Sequence, residues 1–284
     1  MRQKRIAAIH DISGLGKCAL TVALPIVSVA GIECCAIPTA LLSTHTGGFH
    51  DMYIKDLTDS ILPIAKHWHK EGFAFDAIYS GYLGSMEQVD LLMAVIAKLK
   101  GKDTLVVVDP VMGDNGKLYQ SFSPEFPLKM RELCRAADVI TPNITEACLL
   151  LGRPYREPPY SKAYVEELLN GLAELCGGTV VLTGAVQTLE EQGAAAYAPE
   201  AGQTYFAAGP RVPGMYHGTG DVFASVLVSA LVLGRDLQTA LRAAVDFTCH
   251  AIEASAPYRD ENWYGVNFEA VLPKLPQMLK GELP

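Results

Sequence analysis

From residue 5 to residue 183 the chain alternates short apolar, β-branched runs with stretches of helical periodicity, and each run stops at a loop of Gly, Pro and small polar residues. That alternation leaves few folds open. A strand followed by a crossover helix returns beside its predecessor, and repeated units of this kind build an α/β fold, a doubly wound, mostly parallel sheet flanked by helices. Ligands in such sheets bind beyond the carboxyl ends of the strands, so chemistry is expected in the loops that follow them.

Taken in order, Arg5 to His10 is a strand that stops at a Gly/Ser-rich turn, and Cys18 to Ala30 is a helix kinked at Pro25. Gly31 closes that helix, Ile32 to Pro38 is the second strand, and Ser43 to Gly48 is a polar loop after it. Helices over 56–71 and 86–100 flank a third strand, Phe75 to Tyr79, which ends in Ser80-Gly81-Tyr82-Leu83-Gly84. Thr104 to Val108 runs into Asp109 to Gly116, a loop that Pro, Gly and Asn keep out of regular structure. A helix near 124–135, a strand Asp138 to Thr141 and a helix from Asn143 to Leu151 continue the alternation, and Gly152 stops it. Three prolines in 154–160 mark an exposed connection, followed by a helix over 161–176 and a strand Thr179 to Thr183. The pattern then breaks. Gly193 to Tyr197 and Thr204 to Ala207 read as an antiparallel hairpin at a sheet edge, and helices over 218–233, 236–256 and 267–279 close the chain. With no linker, repeat or low-complexity stretch, residues 1–284 read as a single domain.

Composition excludes several classes of function. A net charge of −8 argues against sequence-independent nucleic-acid binding, so an anionic ligand needs a local site. The seven cysteines are odd in number and never in C-x-x-C spacing, which indicates neither a disulfide framework nor a zinc site and points to a reducing, cytoplasmic compartment. No apolar run approaches the roughly 20 residues that span a bilayer.

The densest local signal is His217-Gly218-Thr219-Gly220-Asp221, followed by an apolar run to Leu233. Two glycines allow a tight turn that exposes successive N–H groups, and the positive end of the helix behind faces the same place, an arrangement that cradles an anion. Asp221 only accepts hydrogen bonds, so its natural partner is a substrate hydroxyl. A carboxylate base beside such a cradle suits phosphoryl transfer to an alcohol. A plain helix start accounts for the tetrad equally well when it is taken alone. Asp109, Asp114, Glu146 and Asp221 fall at the same expected sheet edge, and magnesium held through water and phosphate oxygens asks for only one or two carboxylates. Each acid alone is also an ordinary capping residue.

Other matches fail or stay bland. Asp11 to Cys18 is not a Walker A loop, because Asp11 replaces its first Gly and Cys18 its hydroxyl residue, and it lacks the third Gly of a dinucleotide fingerprint. It remains a strand-to-helix turn whose Asp11 could accept from a ring nitrogen or hydroxyl. His67 and His69 do not share a helix face and read as solvated. His10, His45 and His217 stand at strand ends and are as readily structural as catalytic. Lys17 and His217 could bring positive charge to a phosphate, and Lys17 is equally a surface residue.

In order along the chain, Thr44-His45-Thr46-Gly47, Ser80-Gly81-Tyr82-Leu83-Gly84-Ser85, Asp109-Pro110-Val111-Met112-Gly113-Asp114, Thr141-Pro142-Asn143 with Glu146, and Gly218-Thr219-Gly220-Asp221 resemble the pyridoxal (vitamin B6) kinases of the ribokinase-like superfamily. The resemblance implies a kinase that uses ATP and Mg2+ to phosphorylate the hydroxymethyl group of pyridoxal, pyridoxine or pyridoxamine. Asp221 would be the base and Gly218, Thr219 and Gly220 the anion hole. Asp109, Asp114, Thr141, Asn143, Glu146, Thr183 and Gly184 would serve the nucleotide, with Asp109 and Glu146 organising the metal. Asp11, Thr46 and Tyr82, with Asp221, would contact the vitamer. It further implies a homodimer, and it leaves dependence on a monovalent cation open. The first loop departs from the family pattern, with His10-Asp11 where Ser-His is usual, and Ser13-Gly14-x-Gly16 leans toward the related hydroxymethylpyrimidine kinases of thiamine synthesis. A binder that senses a B6 vitamer without phosphorylating it is the alternative outside enzymes.

Overall fold

The computed structural model describes residues 2–282. Its centre is β1 (Arg5–Leu15), in which Ile6, Ala7, Ala8 and Ile9 are fully buried because helices cover both faces of the sheet. The chain then passes through α1 (Leu20–Val29), β2 (Glu33–Thr44), β3 (Ile54–Asp56), α2 (Thr58–Lys70), β4 (Ala77–Ser80), α3 (Met86–Leu99) and β5 (Leu105–Val108). A ribbon of β6 (Gly113–Asp114) and β7 (Lys117–Leu118) follows, and then α4 (Phe126–Cys134), β8 (Val139–Ile140), α5 (Ile144–Leu151), α6 (Lys162–Cys176) and β9 (Thr179–Thr183). The last third holds β10 (Glu191–Ala198), β11 (Gln203–Pro210), α7 (Thr219–Val232) and α8 (Leu237–Ser255).

Among the described residues the main sheet has nine strands in the order β11-β10-β9-β8-β5-β4-β1-β2-β3. Its inner pairs are parallel, whereas β2/β3 at one edge and β9/β10/β11 at the other are antiparallel. The expected late hairpin is therefore present at an edge, and β3 adds a second antiparallel edge. Alternate residues feed two cores. Ile9, Ile78, Val106, Val108 and Leu182 face α2 to α6, while Ile6, Tyr79, Val107 and Val181 face α1, α7 and α8.

The strand order reverses between β1 and β4, which opens a crevice over their carboxyl ends. Three expectations need correction there and beyond. First, β1 does not stop at His10, nor β2 at Pro38. β1 pairs with β4 only up to Ile9, bulges between His10 and Ile12, and runs on beside β2 as far as Leu15 opposite Thr44. Parallel pairing in three dimensions overrides the turn residues of that stretch. Secondly, 109–116 is not wholly irregular. Asn115 (φ 51°) and Gly116 (φ 74°) form the two-residue turn of the small β6–β7 ribbon. Thirdly, no continuous helix covers 267–279. Pro273 and Pro276 break it into two 3-10 turns, Phe268–Ala270 and Leu272–Lys274, and a short helix, Leu275–Met278.

Candidate active site

A cavity of about 990 Å³ opens over the crevice. The strand ends bring Asp11, Tyr82, Asp109, Thr141 and Thr183 to its wall, and the start of α7 brings Asp221. Thr46, Asp114, Asn143, Glu146, Gly184, Gly218, Thr219 and Gly220 line it too, so every site residue expected from the sequence borders one space.

The opening turn of α7 is built for an anion. Gly218 takes the left-handed conformation (φ 79°) as N-cap, and a Cβ there would run into the Lys17 carbonyl oxygen. No side chain caps the helix, and its first backbone bond runs from the Val222 N–H to the Gly218 carbonyl at 3.0 Å. The N–H groups of Thr219, Gly220 and Asp221 are thus left without intrahelical partners at the positive end of the dipole. A Cβ on Gly220 would meet nothing, so that glycine faces open cavity. Asp221 stands beside these amides, and burial pushes its carboxyl up to about 7, with the nearby charge of Asp11 adding to the effect.

Asn143 and Glu146 close a reciprocal capping box on α5. Asn143 Oδ1 accepts the Glu146 N–H at 2.9 Å and Glu146 Oε2 accepts the Asn143 N–H at 2.8 Å. Glu146 Oε1 also accepts the Met112 N–H at 3.1 Å, and Asn143 Nδ2 donates to the Gly113 carbonyl at 2.9 Å. The structural role is therefore real for both. Glu146 is nevertheless buried to 3 % exposure with its carboxyl raised to about 8, chiefly by burial. Asp109 is raised well above the usual carboxylate range by burial and by the charges of Glu146 and Asp221, and the neighbouring Thr141 hydroxyl offsets this only in part. Two buried acids, the charge of Glu146 raising Asp109 and no cationic side chain among the main influences on either, fit a hydrated divalent cation. Among the described residues no group of three or more His, Cys, Asp or Glu is placed to hold a metal ion.

At the other end, Asp11 is 5 % exposed, accepts the Ser13 hydroxyl at 3.0 Å, and is raised to about 6 by burial. Tyr82 packs on Phe122 with ring centroids 5.7 Å apart. His45 accepts the Gly47 N–H at Nδ1, which leaves Nε2 to donate to the Tyr264 carbonyl at 2.6 Å. His217 lies over His45 at 4.9 Å, and burial followed by the His45 charge lowers its pKa. Burial thus disfavours the imidazolium form of His217 in the ligand-free cavity. Lys17 pairs its ammonium with Glu269 at 2.7 Å and is not among the residues of the cavity wall. His10 is fully buried, unpartnered and lowered to about 3 by burial. It packs edge-on against Tyr79 as a core residue. The Cys18 thiol borders the cavity but burial pushes it far up, so it is no nucleophile. Lys117, Tyr119 and Arg211 also line the cavity and went unread in the sequence. The Asn-Gly dipeptide before Lys117 is the hairpin signal that could have found two of them.

A family model described as phosphomethylpyrimidine kinase matches residues 24–265. The chain belongs to that family. A Bacteroides thetaiotaomicron protein assigned as a phosphomethylpyrimidine kinase and solved with pyridoxal is 39 % identical, with a TM-score of 0.90 over 96 % of each chain. Pyridoxal kinase from Lactobacillus plantarum is 33 % identical, with a TM-score of 0.88 over 99 % of each chain. A pyridoxine/pyridoxal/pyridoxamine kinase from Bordetella avium is 29 % identical over 244 residues, 81 % of this chain and 78 % of its own length. These relatives bear out the expected kinship with the pyridoxal kinases and the ribokinase-like fold.

Proposed function

We propose that this family member transfers a phosphoryl group from ATP to the hydroxymethyl group of pyridoxal, pyridoxine or pyridoxamine. The observation that carries the reading is Asp221 in the first turn of an uncapped α7, its carboxylate beside three unpaired amides in the same cavity as Asp109 and Glu146. In this reading Asp221 takes the proton from the substrate alcohol as its oxygen attacks. The amides of Thr219, Gly220 and Asp221 hold the phosphoryl oxygens in flight, with Gly218 setting the turn. Asp109 and Glu146 hold hydrated magnesium, and Asp114, Thr141, Asn143, Thr183 and Gly184 border the nucleotide. Magnesium held by Asp109 and Glu146 would supply positive charge that offsets the charge developing on the leaving group. Asp11, Thr46 and Tyr82 contact the ring at the end of the cavity away from α5. The relatives named above, one solved with pyridoxal and two named for B6 vitamers, support the substrate class.

Residues 1–284 act in this reading as one cytoplasmic kinase domain that pairs as a homodimer. A hydroxymethylpyrimidine substrate is the second reading, favoured by the family description and by Asp11, a buried acceptor suited to an amino-substituted ring edge. Release of ADP measured with each vitamer and with hydroxymethylpyrimidine separates the two. Turnover led by the vitamers is expected; turnover led by hydroxymethylpyrimidine moves the assignment to the second reading, and ADP release with none defeats both.

A further inference from the structure

Six carboxylates line the cavity, those of Asp11, Asp109, Asp114, Glu146, Glu191 and Asp221, against two permanently cationic side chains among the described residues, Lys117 and Arg211. The histidines do not redress that balance, since burial holds His45 and His217 below the usual imidazole range. Arg211, just past the end of β11, spends a guanidinium N–H on the Leu189 carbonyl at 3.3 Å. Lys117 differs. Its ammonium has no ion-pair or hydrogen-bond partner among the described residues, and its cross-strand neighbour Asp114 turns its carboxylate to the Asn115 N–H and Nδ2 at 2.8 and 3.0 Å.

The ribbon that carries Lys117 is anchored to the amino end of α5. Asn143 Nδ2 holds the Gly113 carbonyl, the Gly116 N–H donates to Thr145 Oγ1 at 2.9 Å, and the Tyr119 N–H donates to the Met112 carbonyl at 2.9 Å. Leu118, opposite Gly113, packs on the core and fixes the ribbon's inner face. The field of the acids reaches this ribbon: Tyr119 is raised by burial and then by Glu146, Asp114, Asp109 and Asp221. A polyanion bound between α5 and α7 would meet carboxylates on nearly every side, and Lys117 offers three uncommitted donors beside that space.

We infer that Lys117 is a phosphate-binding residue, delivered by the β6–β7 ribbon to the terminal phosphates of the nucleotide. The inference rests on the kinase reading above. A charge-assisted hydrogen bond of this kind changes affinity by on the order of 10- to 100-fold. The test compares Lys117→Met and Lys117→Arg in the full chain, through KM for ATP at saturating vitamer and through calorimetric binding of ATP and of adenosine. Lys117→Met is expected to raise both the KM and the Kd of ATP by that factor and leave adenosine binding unchanged, while Lys117→Arg restores most of the loss. Wild-type affinity for ATP in Lys117→Met would overturn the inference. So would equal weakening of ATP and adenosine, which marks a collapsed ribbon rather than a lost phosphate contact. The unaltered protein serves as the reference: no ADP release from it with any acceptor defeats the kinase reading, whereas normal turnover with an indifferent Lys117→Met defeats this inference alone.

Discussion

Gly218 and Gly220 stand two residues apart and answer to different constraints. Gly218 is left-handed with no room for a Cβ against the Lys17 carbonyl, so Gly218→Ala is expected to lose both stability and activity, with about 1–2 kcal/mol from the backbone conformation alone. Gly220 faces open space, so Gly220→Ala should fold as the parent does and yet lose turnover, because its methyl group occupies the place of the phosphoryl oxygens. Thermal unfolding and kcat measured side by side check the contrast; full activity in Gly220→Ala would move the anion site elsewhere. As the proposed base, Asp221 would set the pH dependence. With its carboxyl at about 7, the ionised base becomes available only as pH rises, so kcat/KM should climb to a plateau above that value. An ordinary aspartate would give a flat profile from pH 6 to 8. The sign for stability is opposite. The folded chain keeps a proton that the unfolded chain releases between its ordinary 3.8 and about 7, so Asp221 makes stability fall as pH rises through that window. Asp221→Asn should flatten that fall, by on the order of 1–2 kcal/mol, discounted from the full shift because the side chain meets cavity water.

At the scale of elements, the proposed function gives α5 two tasks on one pair of side chains. Glu146→Gln keeps the capping box, since an amide also accepts from the Asn143 N–H, but removes the charge. Its NH2 must then oppose the Met112 N–H that Glu146 Oε1 accepts, so it should lose about 1–2 kcal/mol and need more magnesium for half-maximal turnover, whereas Glu146→Ala leaves both backbone donors unpaired and loses more. An unchanged magnesium titration in Glu146→Gln would remove Glu146 from the metal site. The start of α1 is strained instead of capped. Lys17 and Ala19 both have positive φ, and Ala19 sits at φ 56°, ψ −127°, territory suited to glycine. Ala19→Gly should therefore stabilise the fold by about 1 kcal/mol, read as a raised unfolding midpoint. Elements with strong periodicity were legible in the sequence, α3 and β9 among them, because their apolar spacing and flanking glycines decide locally. The extension of β1 through Asp11 to Leu15 was not, since its Gly and Ser residues favour a turn and only pairing with β2 makes it a strand.

For the whole molecule, alternation along the chain foretold the doubly wound sheet, and the place of the reversal between β1 and β4 explains why loops far apart in sequence share one cavity. The legible part of the candidate site was its acids and glycines, each ordinary by itself at a strand end or helix start but falling together at one sheet edge. Lys117 and Arg211 escaped because a lysine or arginine in a polar loop looks solvated until the third dimension shows what it faces. Phosphoryl transfer to pyridoxal by Asp221→Ala tests the proposed base most directly. Turnover should fall by about 10²–10⁴-fold with ATP binding retained; near-parental turnover with intact ATP binding would contradict the assignment of the base.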